Sequence, residues 1–191
     1  MGNILVTGAG KGIGRQILLD GIEKKSTFIY AIIRSKKDFI YLKKKIPNKN
    51  CKLYLGDTKN LKLIEKIIND SKKLKKEITG LVNNSGERQR VNFINIDHKK
   101  LNHIFQNNYF NHFFLIQKII KTNKSKNKLS VVNIGSIVGQ LGFDQLSGYA
   151  STKSALDGLT KSLAVEFAKY KIRFNIIHPG FIKTSYYKNF K

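Results

Sequence analysis

The sequence is poor in acidic residues, in proline and in sulfur. Of 191 residues, 12 are Asp or Glu and two are Pro, with one Cys, one Met and no Trp. A single cysteine, Cys51, excludes an internal disulfide and fits a reducing compartment. Its strand-forming neighbours mark it as a small buried residue rather than a reactive thiol. No apolar run approaches the roughly 20 residues that a membrane span needs, which excludes a transmembrane helix. Residues Met1 to Thr7 carry no basic segment and no long apolar stretch. They read as the opening of a strand and not as a signal peptide. The expected location is the cytoplasm, with no membrane partner, and no metal site is expected.

The shortage of acid leaves 36 Lys and Arg against 12 Asp and Glu, a net charge of +24. Such an excess admits a nucleic-acid or membrane-surface partner. Only Arg15, Arg34, Arg88, Arg90 and Arg173 are arginines, however, and every other basic residue is a lysine. Lysine is a strongly hydrated point charge, whereas base-edge recognition favours arginine. The lysines run from Lys11 to Lys191 among many Asn and Ile residues, the bias of an AT-rich coding sequence. The expected reading is a solvated basic surface without a nucleic-acid partner. An anionic substrate is compatible with it.

With 41% hydrophobic residues the chain is of the globular class, and its length suits one domain spanning 1–191. Short apolar runs at 4–6, 28–33, 51–55, 80–83, 130–134 and 173–177 read as strands. Between them lie stretches with helical spacing, such as Leu61, Ile64, Ile67 and Ile68. Alternating strands and helices, with near-continuous apolar strands, predict a parallel sheet covered on both faces. The fold class is α/β: a Rossmann-type doubly wound sheet in three α/β/α layers, with ligands bound beyond the carboxyl ends of the strands. The longest helical segments fall at about 98–122 and 146–170. No linker and no internal repeat divides the chain.

Chemistry enters at the first turn. Thr7-Gly8-Ala9-Gly10-Lys11-Gly12-Ile13-Gly14 follows the first strand directly and opens a helix. Glycine permits the tight turn and lets backbone approach a pyrophosphate, while the helix N-terminus supplies N–H groups and a positive dipole. At the end of strand two, a site for NAD usually carries an acid for the ribose 2′-hydroxyl. Arg34 stands there instead and, with Lys11, favours a 2′-phosphate and hence NADP(H). Tyr149 and Lys153 lie four residues apart on a predicted helix, so phenol and ammonium share one face. A fixed ammonium lowers the tyrosine pKa from about 10 and makes the phenol a usable acid–base group. Ser136 closes the fifth strand and puts a hydroxyl at the same sheet edge.

This ordered set resembles the short-chain dehydrogenase/reductase superfamily. The chain is similar in particular to the 3-oxoacyl-acyl-carrier-protein reductases, from Ile4 to about Thr184. The glycine turn matches that family's Thr-Gly-x3-Gly-x-Gly form. Asn83-Asn84-Ser85-Gly86 resembles the Asn-Asn-Ala-Gly motif that lines the adenosine side, with Ser85 in place of alanine. Asp57 corresponds to the adenine contact, and Pro179, Gly180, Ile182 and Thr184 to the segment that holds the nicotinamide carboxamide. Asn108 corresponds to the catalytic asparagine that keeps a water beside the lysine. The resemblance implies an enzyme interconverting a small carbonyl and an alcohol by hydride transfer. Tyr149 would be the general acid/base, Ser136 would bind the carbonyl oxygen, and Lys153 would bind the nicotinamide ribose and lower the pKa of Tyr149.

Relatives continue past the Pro-Gly motif into a substrate lid and a seventh strand, so the chain is expected to be C-terminally shortened and to lack that strand. Strand six then becomes an edge. A shortened protein that binds the dinucleotide without turnover is the alternative, and a basic nucleic-acid-associated protein a more distant one. In relatives the helices at 98–122 and 146–170 form a dimer face, which implies a homo-oligomer. Arg88 and Arg90, after the Asn-Asn-Ser-Gly motif, suggest either an anionic substrate or a surface role for both.

Overall fold

A computed structural model describes residues 2–24, 26–46, 49–123 and 129–184. Six strands, β1 (Gly2–Val6), β2 (Thr27–Ile33), β3 (Cys51–Leu55), β4 (Gly80–Asn83), β5 (Ser130–Ile134) and β6 (Arg173–Ile177), form one sheet. All pairs are parallel, in the order β3-β2-β1-β4-β5-β6. The chain runs outward in one direction from β1, then returns and runs outward in the other. Crossovers therefore leave toward opposite sides on either side of the β1/β4 boundary, and a crevice opens there at the carboxyl ends. Val6 pairs with both Ala31 and Val82, so β1, β2 and β4 finish nearly level around it.

The alternation along β2 divides the core. Phe28, Tyr30 and Ile32 pack on one face with residues of α3 (Leu61–Lys73), α5 (Asn111–Thr122) and α6 (Ser147–Glu166). Ile29, Ala31 and Ile33 pack on the other with Leu18 of α1 (Gly12–Glu23) and Leu42 of α2 (Lys36–Lys45). The sheet is thus sandwiched between two helical layers, as the apolar runs predict. Helix starts follow local chemistry. Ser35 caps α2 by accepting from the Asp38 amide, and Asn60 caps α3 by accepting from that of Leu63. Asp97 does the same for Lys100 at the start of α4 (His98–Phe105).

The helix expected at 98–122 is interrupted. Between α4 and α5, residues Gln106–Phe110 form a π-helical turn, with Asn108 fully buried inside it. The wider turn brings the Asn108 amide against the backbone of Glu87, a contact that sequence spacing does not announce. The helix expected at 146–170 is α6 followed by a 3-10 turn at Ala168–Tyr170. Among the described residues no strand follows β6, whose Arg173, Asn175 and Ile177 side chains are exposed. No helix among them is long and apolar enough to cross a membrane.

One buried polar chain ties the second half of the sheet to α6. The Asn83 amide donates to Asn133 Oδ1 at 2.9 Å, and Asn133 donates to Thr160 Oγ1 at 2.9 Å. Thr160 in turn donates to the Leu156 carbonyl at 2.7 Å. All three side chains are at most 3% exposed, so no solvent replaces a lost partner. Asn133→Ala is expected to lower the unfolding free energy by about 1–3 kcal/mol. A urea titration should show a lower midpoint with an unchanged slope.

Candidate active site

The crevice is built on a staple between two segments far apart in sequence. Thr7 Oγ1 accepts from the backbone amides of Asn84 and Ser85, each at 2.9 Å. Asn84 Nδ2 donates back to the carbonyls of Thr7 and Gly8 at 3.0 and 3.2 Å. Gly8 has φ +64 and Gly12 φ +56, conformations that favour glycine. Gly14 meets a different constraint. A Cβ there would lie 2.4 Å from both Asn84 Nδ2 and the Gly8 carbonyl. Arg15 braces the turn from outside, donating through Nε to the Gly10 carbonyl at 2.7 Å and pairing with Asp38 at 3.0 Å.

The N-terminus of α1 has no side-chain cap, unlike those of α2, α3 and α4, and no acid in its first turn. Its first N–H groups are left for another acceptor. They open into a cleft of about 780 Å³. Gly8, Gly10, Lys11, Gly12, Ile13, Arg34, Asp57, Asn84, Ser85, Gly86, Pro179, Gly180, Ile182 and Thr184 all line it. So do Ser136, Tyr149 and Lys153. Of the residues singled out by sequence, Gly14 supports the turn from behind and Asn108 lies in the layer beneath. A cleft of this size, with bare helix N–H groups at one end and cations at its lip, fits a dinucleotide. Among the described residues no His, Cys, Asp or Glu cluster suits a metal ion.

At the far end, Ser136 lies two residues beyond β5, and its Oγ accepts from the Val138 amide at 3.2 Å. The Ile137 amide donates to the Pro179 carbonyl at 3.1 Å, which ties the Pro-Gly segment to this strand end. Tyr149 and Lys153 occupy successive turns of α6, and Lys153 Nζ lies 5.8 Å from the Tyr149 ring centre. The ammonium is buried and donates to the Ile134 carbonyl at 2.7 Å, two residues before Ser136. Burial pushes the pKa of Lys153 down to about 8, so the group still carries charge at neutral pH.

Asn108 supports this site from below. Its Oδ1 accepts from the Glu87 amide at 2.7 Å, and its Nδ2 donates to the Glu87 carbonyl at 2.8 Å and to Thr152 Oγ1 at 3.2 Å. The side chain expected to keep a water beside Lys153 is thus committed to protein partners. One turn further on, His112 is fully buried, and its Nε2 lies 3.2 Å from Ser85 Oγ. Burial, with repulsion from the Lys153 charge, pushes its pKa down to about 3 and keeps the ring neutral. The serine that departs from the Asn-Asn-Ala-Gly pattern therefore has a partner of its own.

Glu87 was not legible in the sequence as a site residue. One carboxylate oxygen meets Arg34 at 3.2 Å, and the other meets His103 Nε2 and Asn107 Nδ2, both at 2.8 Å. Partial burial opposes its charge, yet these partners hold its pKa below the usual carboxylate value. Of the two arginines after the Asn-Asn-Ser-Gly motif, Arg88 lines the cleft, whereas Arg90 faces Asp144 at 3.7 Å.

The fold and the cleft define a class: a doubly wound dinucleotide-binding protein with Ser, Tyr and Lys converging at one end. Comparison with known proteins narrows it. The family model described as short chain dehydrogenase matches residues 2–191. The chain is 31% identical to the 3-oxoacyl-acyl-carrier-protein reductase of Buchnera aphidicola subsp. Schizaphis graminum, covering 97% of this chain and 75% of that protein. It is 30% identical to the corresponding reductase of Haemophilus influenzae, covering 94% of this chain and 74% of that one. Among solved structures, ElxO with NADP bound superposes with a TM-score of 0.86 at 30% identity, covering 98% of this chain and 76% of that one. A 4-hydroxyisoleucine dehydrogenase complexed with NADH gives 0.86 at 28% identity, covering 100% and 79%. The chain belongs to the short-chain dehydrogenase/reductase family of oxidoreductases.

The buried Lys153 gives stability a pH dependence of known sign. Its pKa falls from an ordinary 10.5 to about 8 on folding. Between those values the unfolded chain holds a proton that the folded chain has released, so stability rises with pH across that window. Native protein is expected to gain on the order of 3 kcal/mol relative to Lys153→Met between pH 8 and 10.5. Chemical unfolding of both proteins at several pH values checks this. A pH-independent difference would contradict it.

Proposed function

We propose that the chain is an NADP(H)-dependent oxidoreductase that interconverts a carbonyl and an alcohol, with Tyr149 as the general acid/base. One observation carries this reading. Tyr149, Lys153 and Ser136 line one end of the cleft whose other end is the glycine turn, and Lys153 is anchored to the strand that delivers Ser136. When bound, the nicotinamide cofactor supplies or accepts the hydride. Ser136 Oγ donates to the substrate oxygen and fixes its direction. The Tyr149 phenol donates its proton to that oxygen as carbonyl becomes alcohol and takes one back in the reverse direction. The Lys153 ammonium stabilises the phenolate left behind and hydrogen-bonds the nicotinamide ribose. Asn108, through Thr152 and the Glu87 backbone, keeps the π turn packed against α6.

The 2′-phosphate would be met by Arg34, with Lys11 on the turn beside it. A similar reductase from Ornithobacterium rhinotracheale, 28% identical over 94% of this chain and 65% of its own length, is described as NADPH-dependent. Arg88 on the cleft wall favours an anionic small-molecule substrate. Residues 1–191 act as one dinucleotide-binding unit with its catalytic site built in. The single, buried Cys51 suits the cytoplasm. The +24 charge is a solvated lysine surface rather than a nucleic-acid site.

A second copy of the chain is the proposed partner. Tyr109, Phe110, Phe113 and Phe114 form a ladder of ring contacts 5.4–6.1 Å apart across the π turn and α5. Phe110 and Phe114 remain 38% and 52% exposed in the isolated chain, more apolar ring than one helix face leaves in water without cause.

Two experiments follow. Tyr149→Phe should bind NADPH as the native protein does while losing about 100-fold or more of carbonyl reduction. Turnover of a carbonyl panel, followed through NADPH absorbance, checks it, and undiminished reduction would remove the assignment. Phe114→Asp should shift the native protein from dimer or tetramer to monomer by sedimentation velocity.

A further inference from the structure

We infer that Glu87 is the post of a latch on the cofactor cleft: it holds Arg34 across the mouth, a dinucleotide must break that pair to enter, and a 2′-phosphate gives the released Arg34 a new partner. The inference rests on the proposed use of Arg34 for NADP(H).

The strand order supplies the geometry. Arg34 directly follows the last residue of β2, and Glu87 lies four residues beyond the last residue of β4. In the sheet, β1 lies between these two strands, so their ends are about 10 Å apart. The glycine turn leaves β1 in that gap. An ion pair of 3.2 Å between Arg34 and Glu87 therefore spans the cleft above the turn that would cradle the dinucleotide.

The two partners are not equally free to move. Both backbone polar groups of Glu87 are bonded to the Asn108 amide, at 2.7 and 2.8 Å. Its second carboxylate oxygen is held by His103 and Asn107 at 2.8 Å each. The Glu87 side chain is 30% exposed, against 59% for Arg34. Glu87 is thus the fixed post and Arg34 the latch that swings. Breaking the pair costs either dinucleotide the same. A cofactor with a 2′-phosphate returns a charged partner to the guanidinium, whereas one with a 2′-hydroxyl returns none. The pair therefore weakens both dinucleotides alike, and the preference for NADPH rests on the phosphate contact that Arg34 makes once released.

Fluorescence titration of NADPH and NADH against native protein, Glu87→Gln and Arg34→Gln separates the contributions without relying on turnover. A half-exposed ion pair is worth up to about 1 kcal/mol, or about two- to fivefold in binding. NADH should bind about two- to fivefold tighter to both variants, since each unlatches the cleft. NADPH should bind tighter to Glu87→Gln but about tenfold weaker to Arg34→Gln, which has also lost its phosphate partner. Unchanged or weaker NADH binding in both variants, with tight binding by the native protein, would overturn the latch and leave the proposed function standing. Weaker NADH binding in Glu87→Gln alone would make Glu87 a direct acceptor for the ribose hydroxyl and also overturn it. Failure of every protein to bind either dinucleotide would remove the proposed function and the latch together.

Discussion

The hydroxyl of Thr7 is the point from which the rest of the cleft takes its position. Two backbone amides, from Asn84 and Ser85, converge on that single oxygen. The bonds fix the exit of β4 against the exit of β1, where the strand order reverses and leaves a crevice. The Asn84 side chain then claims the two carbonyls of the turn, so the space opposite Gly14 has room for no side chain. Through Asn84 and Ser85 the constraint reaches Gly86 and Glu87, and through Glu87 it reaches Asn108 and the π turn. A threonine at the end of a buried strand thus sets the relation of cofactor cradle to catalytic helix.

Burial is the second constraint, and it acts on charged and polar groups alike. Lys153, Asn108, His112 and Thr152 are all nearly or fully inaccessible, and each would destabilise the fold without a partner. Most are satisfied within the described residues: Lys153 by a strand-end carbonyl, Asn108 by Glu87 and Thr152, and His112 on one side by Ser85. His112 Nδ1 has no partner among the described residues. The result is a rigid polar layer beneath the cleft, with the titrating groups poised away from their ordinary values.

Much of this was legible in the sequence because the signals are local. Six apolar runs became six strands, and their continuity announced a sheet buried on both faces. The glycine turn, Ser136 and the Tyr149–Lys153 spacing each depend on a few consecutive residues, and the structure brings them to one cleft. Three features were not legible, because each depends on residues distant in sequence. The π turn exists where Asn108 meets a backbone 21 residues away. The Arg34–Glu87 pair joins residues 53 apart. His112 reads as one more polar residue on a helix until Ser85 is seen beside it. Arg90, which the sequence leaves open between substrate and surface, lies on the surface against Asp144.

The π turn has a consequence for how this chain tolerates change in length. A helix that carries one such widened turn holds one residue more than an α-helix of the same extent. Deleting a single residue between Gln106 and Phe110 would let the segment relax into uninterrupted α-helix, which is no less stable locally. The residues on either side would keep their facing, because the widened turn had absorbed the extra residue. The apolar stripe of Leu115, Ile116 and Ile119 would stay against the core, while Asn108 would lose the bulge that carries its amide to Glu87. The helix would survive such a loss, and the support it gives the cleft would not.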